Sequence, residues 1–398
     1  MNQLLHAVQK EFIRRFNTAP VFVRSPGRVN LIGEHTDYNE GFVLPAAIDK
    51  QIVIGIAPNG SSQARIYAQD KDESFTFDVN DNNPEKSALE WPNYIMGVVQ
   101  QLREDDWDLD GFDCVFGGDI PIGAGLSSSA ALEEGVIFGL DTIFDLGLPP
   151  LTRVKLGQRA ENQFVGVQCG IMDQFANVFG RDARVFKLDC RTLDFEYYPF
   201  ERDDLRIVLC DTQVRRSLAT SEYNIRRSQC EQGVELVQQY DESIRSLRDV
   251  PLSLLRKHQE KFDPIVYRRC EYVIQENTRV EQACKFLEEE DYTAFGQQMY
   301  DSHAGLRDQY EVSSKELDYL VDIASDIDGV YGSRMMGAGF GGCTINLVHS
   351  EALDAFSETI REKYSDKFQT EPLIYVSRIR GGTSLVESEL VESSTEMG

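Results

Sequence analysis

Arg28, Asn30, Glu34, His35, Thr36, Asp37 and Asn39 fall within twelve positions, separated by only a few apolar residues. Guanidinium, carboxylate, imidazole and hydroxyl groups this dense suit a polyhydroxylated ligand, because each sugar hydroxyl both donates and accepts a hydrogen bond. A polar surface turn before a second strand would have a similar composition. A second stretch, Pro121-Ile122-Gly123-Ala124-Gly125-Leu126-Ser127-Ser128-Ser129-Ala130-Ala131-Leu132, pairs backbone-permissive glycines with three serines at the start of a helical pattern. A helix N-terminus offers unpaired N–H groups and a positive dipole end, which hold phosphate. A glycine turn with a serine N-cap would read alike, although one cap needs only one serine. Two carboxylates, Glu161 and Asp173, lie in helical surroundings further on; exposed helical acids are the common alternative.

The elements that must position these groups are legible in outline. Leu5, Val8, Phe12 and Phe16 predict an opening amphipathic helix over 4–16. Val21-Phe22-Val23 predicts a strand that Pro26 and Gly27 should stop. Strands are expected at 52–56, 75–79 and 112–116, with a helix over 94–102 between the last two. Leu132, Val136, Leu140 and Phe144 give the helix after the serines one apolar face. Near residue 185 the character changes. Strands at 184–188 and 206–211 give way to polar helices at 216–240, 267–289, 291–303 and 313–327, and strands return at 344–348 and 373–376. The tail from Val386 is acidic and serine-rich, and mobility is expected there.

Several function classes are excluded. The glycine-rich loop lacks the Lys-Ser or Lys-Thr of a Walker motif, and no protein-kinase signature set appears. Gly337, Gly339 and Gly342 satisfy a dinucleotide fingerprint, but Thr344 to Val348 reads as a strand where that fingerprint must open a helix. His258 and His303 lack metal-ligand spacing. The net charge of −26 argues against nucleic acid and anionic membranes as partners. No apolar run reaches the length of a membrane span, and the first residues do not read as a signal peptide. Eight scattered cysteines with no CxxC pair fit a reducing cytoplasm. The 398 residues suffice for two domains.

Gly27 to Tyr38 resembles the signature of the galactokinase family of the GHMP superfamily of small-molecule kinases. Residues 123–131 resemble the superfamily's phosphate loop, and 160–166 with 170–174 are similar to the galactokinase segment that carries its acids. Met335 to Cys343 resembles the third superfamily motif. Glu134 departs from the pattern, where related enzymes carry a small apolar residue.

The resemblance implies an α+β fold of two domains: a ribosomal-S5-like N-terminal domain, 1–185, and a ferredoxin-like C-terminal domain, 186–398. It implies transfer of the γ-phosphoryl group of ATP to the C1 hydroxyl of galactose, with Asp173 as catalytic carboxylate and Arg28 as its cationic partner. Glu34, His35, Thr36, Asp37, Gly170 and Tyr223 would hold the sugar. Gly123, Ala124, Gly125, Leu126, Ser127, Ser128 and Ser129 would cradle ATP. Ser129 and Glu161 would hold Mg²⁺, and a monomer is expected. A kinase for N-acetylgalactosamine or arabinose, and a catalytically silent galactose and ATP sensor, are the alternatives; the intact serine run and Asp173 favour an enzyme.

Overall fold

The structure, a computed structural model, describes residues 2–121, 123, 125–200, 202–214 and 219–386. In chain order the strands are β1 Val21–Asn30, β2 Phe42–Val43, β3 Pro45–Pro58, β4 Gln63–Ala68, β5 Glu73–Asp78, β6 Phe112–Gly118, β7 Arg184–Asp189, β8 Phe195–Pro199, β9 Leu205–Asp211, β10 Val330–Met335, β11 Cys343–His349, β12 Leu373–Ser377 and β13 Ser384–Leu385. They form a six-stranded sheet in the order β13-β1-β3-β6-β4-β5, a four-stranded sheet β10-β11-β9-β12, and a three-stranded sheet β2-β7-β8. Among the described residues only the β4–β6 pairing is parallel.

The larger sheet is buried on both faces. Leu5, Val8 and Phe12 of the opening helix pack on Phe22, Val53 and Val115. On the other face the helix Ser128–Phe144 lays Leu132, Val136 and Leu140 on Ile54 and Ile56. Gly135 and Gly139 allow that approach, since a Cβ at either would come within 3 Å of an isoleucine methyl group. The helix therefore points its N-terminus, and the serines, at one end of β1.

β1 does not stop at Pro26. It runs to Asn30, with its register against β3 shifting between Pro26 and Arg28. Such a bulge absorbs a proline, which has no N–H for the ladder, and re-aims the side chains that follow. Gly27 is needed here because a Cβ would lie 2.9 Å from the Leu126 carbonyl oxygen. The bulge thus brings the polar cluster against the serine loop.

In the second half, helices Lys315–Ser325 and Leu353–Phe368 cover one face of the four-stranded sheet, burying Leu320, Ile323, Phe356 and Ile360 against Val208 and Val348. The helix Tyr292–Asp308 lies against β10, next to the long helix Pro264–Glu288. The α+β arrangement in two parts is the one expected, but a division at 185 cuts through β7. β7 pairs with β2 and β8, and the second sheet begins only at β9. Nor does the second part run to the end of the described chain. Arg380 N–H donates to Ala47, Thr383 N–H to Asn177 and Val386 N–H to Phe22, so 378–386 rejoins the first sheet. The tail beyond Val386 lies outside the described residues. Among the described residues no helix is long and apolar enough to cross a membrane.

Candidate active site

The re-aimed end of β1 delivers Arg28, buried to 6 % exposure, against Asp173 at the start of the helix Met172–Phe179. The contact is bidentate: Nε donates to Oδ1 at 2.6 Å and Nη2 to Oδ2 at 2.8 Å. This planar fork is the strong geometry for a guanidinium–carboxylate pair. The third guanidinium nitrogen, Nη1, donates to the Gly125 carbonyl at 2.5 Å. Ser127, held at φ 55°, donates its hydroxyl to Asp173 Oδ2, also at 2.5 Å. Loop, guanidinium and carboxylate are one hydrogen-bonded unit. Gly123 and Gly125, both at φ 75°, take the backbone into the left-handed region that glycine permits. The helix begins at Ser128 as expected; Ala124 lies outside the described residues.

A cavity of about 230 Å³ opens beside this unit, lined by Arg28, Glu34, His35, Asp37, Glu161, Gly170, Asp173 and Tyr223 together with Gly337 and Ala338 of the third glycine-rich motif. Burial pushes the Asp37 carboxyl up to about 7, helped by the negative charge of Asp173. Gly170 admits that carboxylate: a Cβ at 170 would overlap it. Burial also drives His35 down to about 3, so its imidazole is neutral. Its Nδ1 bonds the Tyr38 hydroxyl at 2.8 Å, which bonds the Tyr310 hydroxyl at 2.7 Å. Tyr223 packs its ring 5.7 Å from His35 and 4.9 Å from Tyr38. The lining thus combines a neutral imidazole and aromatic rings with carboxyl groups that can accept hydrogen bonds.

Thr36 is not placed as expected, and Glu34 does more than expected. Thr36, expected to hold the sugar, is instead fully buried and does not line the cavity; its one hydroxyl proton is shared between the carbonyls of Phe42 and Gly33, 2.6 and 2.9 Å away, holding the turn. Glu34 reaches the cavity, but its Oε1 already accepts from Arg334 Nη2 at 3.1 Å and from the Gly337 N–H at 2.9 Å. Arg334 also donates to the carbonyls of Asn30, Leu31 and Met335. The glutamate thus ties the cluster to β10 as well as facing the cavity.

Behind Asp173, Glu161 is buried at the start of a helical turn, Ala160–Val165, where its Oε2 accepts from Gln174 Nε2 at 3.0 Å. Burial and the charge of Asp173 push its carboxyl up to about 7. On the other side of Ser128 and Ser129 lies a second cavity of about 220 Å³, with apolar walls of Ile52, Trp91, Tyr94, Phe116, Ile120 and Leu132. None of those apolar residues is marked as a site residue by its sequence, because their spacing is that of ordinary core. Arg334 and Tyr310 carry no sequence signal as site-forming groups either, whereas Ala338 falls in the third glycine-rich motif.

Residues 93–181 match the GHMP kinases N terminal domain and residues 283–366 the GHMP kinases C terminal domain. Fold and site together define a GHMP-type kinase. The galactokinase galactose-binding signature matches residues 10–58. The chain is 42 % identical to a galactokinase of Roseiflexus sp. over 95 % of its length and 96 % of that protein, and 39 % identical to one of Fusobacterium nucleatum over 91 % and 94 %. It belongs to the galactokinase family. The crystal structure of Lactococcus lactis galactokinase complexed with galactose is similar at TM-score 0.92 and 35 % identity, covering 96 % of this chain and 100 % of that one. Mevalonate kinase of Methanococcus jannaschii, at 18 % identity and TM-score 0.64, shares the fold.

Proposed function

We propose that the chain transfers the γ-phosphoryl group of ATP to the C1 hydroxyl of D-galactose, giving galactose 1-phosphate and ADP. The observation that carries this is the bidentate Arg28–Asp173 pair at the floor of a sugar-sized polar cavity, latched to the serine loop through Ser127. Galactose in that cavity would place hydroxyls on Asp37, His35, Glu34 and Tyr223, with C1 towards Asp173. Asp173 accepts the C1 proton as the oxygen attacks phosphorus. Arg28 fixes the carboxylate's orientation and meets the charge that develops on the moving phosphoryl group. Phosphoryl transfer asks mainly for such positioning and charge stabilisation.

The apolar cavity beyond Ser128 and Ser129 fits the base of ATP, which leaves the phosphates along 123–129 between the two cavities. Ser129 and Glu161 fit a hard cation: both offer oxygen ligands, and the buried Glu161 carboxyl has no cation in contact with it among the described residues. Magnesium there would neutralise charge on the phosphate oxygens. A monomer belongs to the same reading, and eight free cysteines fit the cytoplasm.

The test is ATP turnover across hexoses, pentoses and N-acetyl sugars, with and without EDTA. Galactose should be preferred over glucose, because an epimer leaves buried polar groups unpaired at about 1–3 kcal/mol each. Equal kcat/KM for the two sugars, or full turnover in excess EDTA, would contradict the reading. A chain that binds galactose and ATP without turnover would be a sensor instead.

A further inference from the structure

Gln174 follows Asp173 in the chain, yet its side chain does not line the sugar cavity. It is fully buried, and its Nε2 is shared between two acids: Glu133 Oε2 at 3.1 Å and Glu161 Oε2 at 3.0 Å. Glu133 sits four residues after Ser129 on the helix Ser128–Phe144, one turn further along the same face, and is also fully buried. Gln174 thus joins the phosphate-loop helix to the helical turn that carries Glu161. Burying a carboxyl costs free energy that an apolar side chain would not. Packing alone therefore gives no reason for Glu133, whereas the amide of Gln174 has two N–H groups and needs two acceptors. Burial, with the neighbouring Glu161, pushes the Glu133 carboxyl well above the ordinary range.

We propose that Gln174, anchored on Glu133, is a positioning residue that holds the Glu161 carboxylate in place for the divalent cation. The proposal rests on the reading of Ser129 and Glu161 as cation ligands. Without the amide, Glu161 keeps the Cys169 thiol, 3.6 Å from the same Oε2, a weaker restraint on the rotamer. Partners behind a ligand typically change metal affinity by about 10–100-fold when removed.

The experiment uses the whole chain with ADP and reads Mn²⁺ binding by electron paramagnetic resonance. Galactose binding by calorimetry reports the fold. Glu161→Gln should weaken Mn²⁺ strongly. Gln174→Met and Glu133→Leu should each weaken it by about 10–100-fold while galactose affinity holds. Glu133→Gln, which keeps an acceptor oxygen for the amide, should stay close to the parent. Gln174→Asn, too short to bridge, gives the same test with a smaller change of volume. In turnover, the Mg²⁺ needed for half-maximal rate should rise with the galactose KM unchanged. Parental Mn²⁺ affinity in Gln174→Met, Gln174→Asn and Glu133→Leu, with Glu161→Gln impaired, would overturn the positioning role alone. Parental affinity in Glu161→Gln would overturn the cation reading of Glu161 and this proposal with it.

Discussion

Arg28 and Asp173 lie 145 positions apart in the chain and meet through two parallel hydrogen bonds of 2.6 and 2.8 Å. The carboxylate is held by a cation and by the Ser127 hydroxyl. Asp173→Asn keeps the shape but removes the charge and nearly all the basicity. The variant should fold and bind galactose and ATP by calorimetry, and lose roughly 10²–10⁴-fold in kcat, the usual size of a general-base contribution. Near-normal kcat would leave Arg28 and the cation as the main catalytic elements.

Asp37 should make sugar binding depend on pH near neutrality. Its carboxyl is raised to about 7 by burial and by Asp173, so in the free protein it protonates as pH falls through 7. The protonated acid loses an acceptor for sugar hydroxyls. The galactose KM should therefore rise between pH 8 and 6, with a midpoint near 7. Asp37→Asn should bind galactose weakly at every pH in that range. A pH-independent KM in the parent protein would contradict this.

Glu134 should cost stability. It is 1 % exposed, neither carboxyl oxygen has a hydrogen-bond partner among the described residues, and Arg153 is the cation nearest in effect. Burial raises its folded pKa well above the unfolded value of 4.5. Its penalty is therefore smallest below the unfolded value and grows as pH rises towards the folded one. Glu134→Leu should gain about 1–3 kcal/mol at pH 7.5 in urea denaturation, with a smaller gain at pH 5. A variant no more stable than its parent at pH 7.5 would show that the acid is satisfied.

Arg334 should behave as a structural cation. It is fully buried and spends its donors on Asn30, Leu31, Met335 and Glu34. Arg334→Met leaves Glu34 and three carbonyls short of a donor. A loss of about 3–5 kcal/mol is expected in chemical denaturation, the size seen when one partner of a buried ion pair is removed. The galactose KM should rise too, because Glu34 faces the cavity.

The sequence by itself determined the pieces whose cause is local. Apolar spacing at Leu132, Val136 and Leu140 produced a helix with one buried face, and the serine run placed its start at Ser128. The strand after the third glycine motif ruled out a dinucleotide site, and β11 runs where that strand was expected. Arg28, Glu34, His35, Asp37, Gly170, Asp173 and Tyr223, singled out through the family resemblance, all line one cavity. Only the tertiary structure decided how these pieces are used. Pro26 and Gly27 were expected to end β1, but β3 and the Leu126 carbonyl accommodate them as a bulge. Thr36 and Glu34 stand two residues apart, yet one hydroxyl is consumed by its own turn and one carboxylate meets an arginine 300 positions away. The join of 378–386 to the first sheet, and the amide of Gln174 between two acids, are equally long-range. Local spacing sets which side chains share a face. Which polar atoms are satisfied, and which remain free to face a ligand, depends on groups that only folding brings within hydrogen-bond reach.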